Sequence, residues 1–364
     1  MTPGREPIQA RRHSAFRTAP VSVTIKYMFE QAKEIINNAT RIVIIQPENP
    51  DGDSLGSSVA LEEILSDLGK EVVMYCPVNI PGYLGYIKGW DRVVEEFPHD
   101  FDASIIVDTA SATLLERAIV PENAATIRKH PAIVIDHHKT EGTIPFEHTA
   151  VTDSTMVATG ELIYKWAIDA GWEINPQASE NLTISIMADS LGLVTANTTS
   201  DSIRAVADLV DRGASLSTID NRRREYMKKS PEILAYKGRL LERIEYFNDG
   251  TLALVHIPWE EIAEFSSQYN PSVLVLDEMR LVTGVRLAIA LKSYPDGKVT
   301  GKIRCNPDAK VAEQVAKYFG GGGHAYVAGF RTYSDSYEEV KNDLIGAVDK
   351  ILTEHDKEQG SETA

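Results

Sequence analysis

Cysteine is nearly missing from this chain: Cys76 and Cys305 stand far apart and have no companions. Two distant thiols build no disulfide framework, which points to a reducing cytoplasm. No apolar run approaches the roughly 20 residues that a membrane helix needs, so no membrane partner is expected. The N-terminal residues also lack the continuous apolar segment of a secretory signal. Basic charge is scarce as well. Lys and Arg number 37 against 53 Asp and Glu, a formal net charge of −16. A protein that follows a long nucleic acid needs a basic surface to displace condensed counterions, so such a partner is not expected. A short phosphate ligand stays open, because one local basic or metal-bearing pocket suffices for it. Within residues 1–22, Arg5, Arg11, Arg12 and Arg17 face Glu6 alone, a local excess of +3. That segment reads as a disordered, solvated tail in preference to an RNA-contacting arm.

Beyond the tail a pattern repeats: a short β-branched apolar run, a polar turn, then an amphipathic helix. The runs are Arg41–Ile45, Glu71–Cys76, Ser104–Val107 and Ala132–Ile135. Leu55, Val59, Ile64, Leu65 and Leu68 share one face of the helix after the first run. Alternation of this kind predicts a parallel sheet covered by helices on both faces, an α/β fold. Residues 155–170 and 175–190 continue as helices, and 200–247 reads as mostly helical. Near Thr251 a second unit begins, with strands expected over Leu252–Ile257, Val285–Leu291 and Lys298–Arg304 and a helix over 309–319. The expected organisation is a first domain over 23–210, a helical connector over 211–248, and a smaller α/β domain over 249–352. Residues 353–364 read as a polar, frayed tail.

Where the carboxylates fall is more informative. Asp51 and Asp53 follow the first strand, Asp108 ends the third, and Asp136, His137 and His138 end the fourth. In an open α/β sheet, ligands bind beyond the carboxyl ends of the strands, so these residues should converge. Packed carboxylates repel one another unless protonated or neutralised by a cation. Mixed carboxylate and imidazole ligands suit manganese, zinc or iron better than calcium. Taken singly, each Asp after a strand is more simply a helix N-cap. Taken together, the strand ends favour a metal. A calcium loop from Asn49 fails, since its sixth position is Ser54 and its twelfth is Ala60. Gly320–Gly323, followed by His324, is longer than a helix C-cap requires. Its backbone N–H groups can converge on an anion. No Gly-Lys-Ser/Thr follows, which excludes a Walker loop. Arg222–Arg224, Lys228 and Lys229 read as a solvated helix face.

Several segments resemble the DHH phosphoesterases. Pro50-Asp51-Gly52-Asp53-Ser54-Leu55-Gly56-Ser57, Val107-Asp108-Thr109-Ala110 and Ile135-Asp136-His137-His138 look like the first three motifs. Ala188-Asp189-Ser190-Leu191-Gly192 looks like the fourth. Lys302-Ile303-Arg304-Cys305-Asn306 and Gly320-Gly321-Gly322-Gly323-His324-Ala325 resemble the signature of the DHH-associated C-terminal domain. The resemblance runs over about residues 23–350 and is greatest to the nanoRNase and pAp-phosphatase branch. It implies two-metal hydrolysis of small nucleotides or very short single-stranded oligonucleotides, with manganese as the ion. Asp53, Asp108, His137 and Asp189 would ligate one ion, Asp108 would bridge to a second, and Asp51 would bind that second one. His138 would face the substrate phosphate and Asp136 would orient the histidines. Lys302, Arg304, Gly321, Gly322, Gly323 and His324 would bind substrate, facing the metal site across a cleft.

One position departs from the pattern. The family's first motif opens with a metal-binding His four residues before the first Asp, where this chain has Pro47. The second ion should therefore be held weakly, with Gln46 and Glu48 the nearest donors. Alternative functions are a cyclic-dinucleotide phosphodiesterase and a nucleotide-binding protein with weakened catalysis. A homodimer is left open.

Overall fold

The structure is a computed structural model that describes residues 23–139, 142–323 and 325–362. Along the chain it divides into two compact units, the first ending at Lys228 and the second beginning at Lys229. The expected basic tail over 1–22 and the position of His324 lie outside the described residues.

The first unit contains strands β1 (Arg41–Ile45), β2 (Glu71–Tyr75), β3 (Ala103–Val107), β4 (Ala132–Asp136) and β5 (Thr149–Thr152). They form one sheet in the order β2-β1-β3-β4-β5, every neighbouring pair parallel. Its helices are α1 (Val23–Asn38), α2 (Gly52–Asp67), α3 (Pro121–Ile127), α4 (Thr159–Ala170), α5 (Pro176–Asp189), α6 (Ser200–Asp211) and α7 (Leu216–Tyr226). The inner strands are apolar on both faces, as parallel strands covered by helices must be. Ile42 and Ile44 of β1 enter one core with Leu55, Val59, Leu162 and Leu182 of α2, α4 and α5. Val43 and Ile45 enter the other with Phe97, Leu115 and Ile127. The chain passes from β1 outward to β2, then returns to β3 on the opposite side. The crevice between the carboxyl ends of β1 and β3 is thus the switch point where such sheets hold ligands.

Two glycines let α2 and α5 approach closely. A Cβ at Gly56 would stand 2.8 Å from the Asn181 carbonyl oxygen, and one at Gly52 would stand 2.6 Å from the Ala188 Cβ. That approach brings the start of α2, with Asp51 and Asp53, beside the end of α5, with Asp189.

The second unit opens with α8 (Pro231–Glu242), β6 (Glu245–Phe247), β7 (Leu252–Ile257), α9 (Trp259–Phe265) and α10 (Pro271–Arg280). It continues through β8 (Leu287–Ser293), β9 (Lys298–Cys305), α11 (Ala312–Tyr318), β10 (Gly322–Gly323), β11 (Val327–Tyr333) and α12 (Tyr337–Glu362). The sheet order is β10-β11-β9-β8-β7-β6, antiparallel except between β7 and β8.

Three details differ from expectation. The helical stretch over 211–248 is divided, because α8 and β6 are built into the second unit. The residues over 353–362 continue α12: Leu352 is buried, and Arg286 holds Asp356 at 2.7 and 2.8 Å. Gly322 and Gly323 pair with Gly329 and Ala328 as an edge strand and the Gly321 N–H donates to the Ala316 carbonyl at 2.8 Å, so the run is less free to gather its N–H groups on an anion than expected. A Cβ at Gly321 would stand 2.3 Å from the Gly329 carbonyl oxygen, so the close backbone approach itself requires glycine there. Among the described residues, no helix is long and apolar enough to cross a membrane.

Candidate metal centre

Asp51 is the N-cap of α2. One of its oxygens, Oδ1, accepts from the backbone N–H of Asp53 and of Ser54, both at 3.0 Å. The capping reading is therefore correct for this residue, and it occupies one carboxylate oxygen only. Asp53, in the first turn, is completely buried. Its Oδ1 accepts from Ser57 Oγ at 3.0 Å and from Ser185 Oγ, and its Oδ2 accepts from the Thr159 N–H at 2.8 Å. Such a set of donors fixes the carboxylate's orientation before any ligand arrives.

Asp108 follows β3 with φ of +62°, the left-handed region that Asp enters more readily than most residues. Its N–H still donates to the Ile135 carbonyl at 2.8 Å, so the turn falls directly after the β3–β4 ladder. Its Oδ1 accepts from Thr159 Oγ1 at 2.9 Å. His137 has Nδ1 at 3.3 Å from the Met156 carbonyl oxygen. A carbonyl only accepts, so Nδ1 carries the proton, and in the neutral ring Nε2 carries the lone pair. That Nε2 makes no well-directed hydrogen bond. It lies 3.1 Å from Asp189 Oδ2, 3.5 Å from Asp53 Oδ2 and 3.7 Å from Asp108 Oδ1. His138 donates from Nδ1 to the buried Asp136 at 2.7 Å, leaving its own Nε2 free of that pair.

A lone pair aimed among three carboxylates is stable only with a cation or a proton between them. Ligand atoms of Asp53, His137 and Asp189 lie within 4.8 Å of one another, as do those of Asp108, His137 and His138. Asp51 joins neither group. Burial, then the charge of Asp189, raises the pKa of Asp53. Burial, then the charges of Asp53, Asp51 and Asp189, raises that of Asp108 well above the usual carboxylate range. For His137 burial works downward, but Asp189 and Asp53 outweigh it and lift the ring to about 9. The donor set fits a divalent ion, which would relieve all three perturbations at once.

The positions around the missing histidine are not equivalent. Pro47 has no donor atom in its side chain. Glu48 accepts from the Arg117 backbone N–H and lies 3.8 Å from its guanidinium, so it is committed elsewhere. Gln46 is completely buried, and neither polar atom of its amide has a partner.

On the second unit, Lys302 and Arg304 of β9 alternate with Ile303 and Cys305, which enter the core beneath α11 and α12. The pKa of Lys302 is lowered by burial, then by Arg304. That of Lys292 on the neighbouring strand β8 falls to about 8 through burial, then the charge of Lys302. Arg304 is lowered by burial, with Arg280 adding to the effect. Cations that depress one another are relieved by an anion. Lys292 and Arg280 were not foreseen, because each ends an apolar element and looks like a solvated terminus. Arg222, expected on a solvated face, instead bonds Glu180 and the Tyr86 carbonyl.

Residues 41–196 match the DHH family, N-terminal domain. The chain is 27% identical over 316 residues to the bifunctional oligoribonuclease and PAP phosphatase NrnA of Thermus thermophilus, covering 86% of this chain and 90% of that one. To the protein of that name from Bacillus subtilis it is 22% identical over 307 residues, covering 83% and 93%. Among solved structures, an exopolyphosphatase-related protein from Bacteroides fragilis matches with a TM-score of 0.79 at 20% identity, covering 90% of this chain and 98% of that one. This last likeness is one of fold.

Proposed function

From the match of residues 41–196 to the DHH family, N-terminal domain, and the similarity to NrnA along both units, we propose that the chain is a divalent-metal-dependent phosphoesterase of the DHH family, one that hydrolyses small nucleotides and short oligoribonucleotides. The observation that carries the reading is the aim of His137 Nε2, unbonded, among the carboxylates of Asp53, Asp108 and Asp189. The relatives named as oligoribonuclease and PAP phosphatase support the substrate class, since their similarity extends through both units. Manganese is the ion we assign, because the ligands mix imidazole with carboxylate.

When bound, a divalent ion polarises the phosphoryl group and lowers the pKa of the attacking water. The chain's own residues do the positioning. Ser57, Ser185 and Thr159 hold Asp53 in one orientation, and the Met156 carbonyl holds His137 in the tautomer that exposes Nε2. Asp136 accepts a hydrogen bond from the His138 Nδ1–H and so favours its imidazolium. His138 Nε2 is then equipped to meet a phosphate oxygen and to give a proton to the leaving group. On the second unit we assign Lys302, Arg304 and Lys292 to a phosphate of the nucleotide. Gly322 and Gly323 stay in this proposal as backbone donors at the sheet edge, with His324, next in sequence, as a further donor; the Gly321 N–H is committed to the Ala316 carbonyl at 2.8 Å and drops out.

Turnover of pAp, pApA, cyclic di-AMP and an RNA dimer by manganese-loaded protein tests the assignment. Hydrolysis of the linear substrates is expected, and Asp108→Ala should remove nearly all of it while leaving the fold intact. Full turnover in that variant would defeat the metal assignment. Binding without hydrolysis of any of the four would mark a nucleotide-binding protein.

A further inference from the structure

Gln46 presents a physical anomaly. Its side chain is completely inaccessible, yet neither Oε1 nor Nε2 meets a hydrogen-bond partner in the protein. Buried polar groups are almost always paired, because an unpaired one forfeits its hydration without return. An amide left unpaired at both ends calls for a partner that is not a protein group.

The fold places the side chain on one face of the sheet. The N–H of Gln46 donates to the Tyr75 carbonyl at 3.0 Å, which extends the β1–β2 ladder by one residue. Side chains alternate along that strand: Ile42 and Ile44 enter the core shared with α2, and Val43 and Ile45 enter the opposite one. Gln46 therefore falls on the α2 face, at the carboxyl edge of the sheet. That is the face whose covering helix begins with the Asp51 cap and the buried Asp53. Of the donors at 46 and 48, only Gln46 is uncommitted, since Glu48 is held by Arg117.

We propose that Gln46 supplies its amide oxygen to the divalent ion on the Asp51 and Asp108 side of the centre. The assignment rests on the metal-dependent reading given above and concerns a residue outside the acidic and histidine motifs. An amide oxygen suits the chemistry. Amide carbonyls ligate hard divalent cations. A neutral donor also adds a ligand without adding charge, where Asp51, Asp53 and Asp189 already disfavour the ionised form of Asp108.

Calorimetric titration of manganese into the chelator-stripped full-length chain tests this, with thermal unfolding of the stripped protein alongside. For Gln46→Leu, the weaker manganese event should lose about tenfold or more in affinity, as for other loss-of-support changes at metal sites. The tighter event should be unchanged. The metal-free Tm should not fall, because leucine fills similar space and leaves no polar atom unpaired. Gln46→Glu should tighten the weaker event and lower the metal-free Tm, since it adds another carboxylate. A Gln46→Leu protein with a lower metal-free Tm and unaltered manganese affinities would mean that the amide is bonded within the protein, which overturns the assignment. An unchanged weaker affinity in Gln46→Glu would overturn it too. Both readouts follow the metal and the fold, not turnover. A chain that behaves as expected here yet hydrolyses none of the four substrates defeats the proposed function and leaves the Gln46 assignment standing.

Discussion

At Asp108, burial and the charges of Asp53, Asp51 and Asp189 all disfavour the ionised form. A carboxyl whose folded pKa lies above its unfolded value stabilises the fold below that unfolded value and loses the contribution as pH climbs through the raised pKa. Asp53 has the same sign. His137 adds its share below the ordinary 6.5 and loses it as pH passes through about 9. Metal-free protein should therefore lose thermal stability as pH rises from 3.8 toward about 9, and saturating manganese should flatten the profile. Scanning calorimetry with and without chelator reads this directly; a flat metal-free profile would contradict it. Asp108→Asn should raise the metal-free Tm by a few degrees, about 1 kcal/mol at this size, while abolishing turnover. On the second unit, Arg304→Ala should raise KM about tenfold, the loss of roughly one charge-assisted contact, and leave kcat nearly unchanged. Steady-state kinetics would refute that division if only kcat fell.

The approach of α2 to α5 sets the separation of Asp53 from Asp189, so a change remote from the ligands should reach the metal. Gly56→Ala would drive a Cβ against the Asn181 carbonyl at 2.8 Å, and neither backbone can yield freely. Destabilisation of about 1–3 kcal/mol is expected, together with weaker manganese binding at the tighter event, both measurable in one titration series. Much of this architecture was legible in the sequence. The β-branched runs gave β1 to β4, and the acidic residues at their ends gave the edge of the sheet where the candidate centre lies. Less visible were the groups that hold the ligands. Ser57, Thr159 and Ser185 look like ordinary polar positions on helices, because hydroxyls reveal their bonding only after the helices have met. Lys292 closes an apolar strand and reads as a charged end until β9 lays Lys302 beside that strand. The run Gly320–Gly323 has no side-chain pattern, so nothing in it distinguishes an anion loop from an edge strand. Pairing with Gly329 and Ala328 is what makes Gly322 and Gly323 an edge strand.

Two compact units with separate cores should unfold as two partly independent transitions. Every side chain assigned to the ions belongs to the first unit. Manganese should therefore move the first unit's calorimetric transition upward by mass action and leave the second unit's in place. A common shift of both would show that they unfold as one. The double duty we assign to Asp51 bears on how this chain can change over generations. One oxygen caps α2, and asparagine caps a helix as well as aspartate does. A single base change from Asp to Asn would then weaken the ion while sparing the helix, and selection for folding alone would not register it. A lineage could drift from cutting nucleotides to merely holding them with no fall in cellular abundance, and protein levels would keep no record of the day the chemistry stopped.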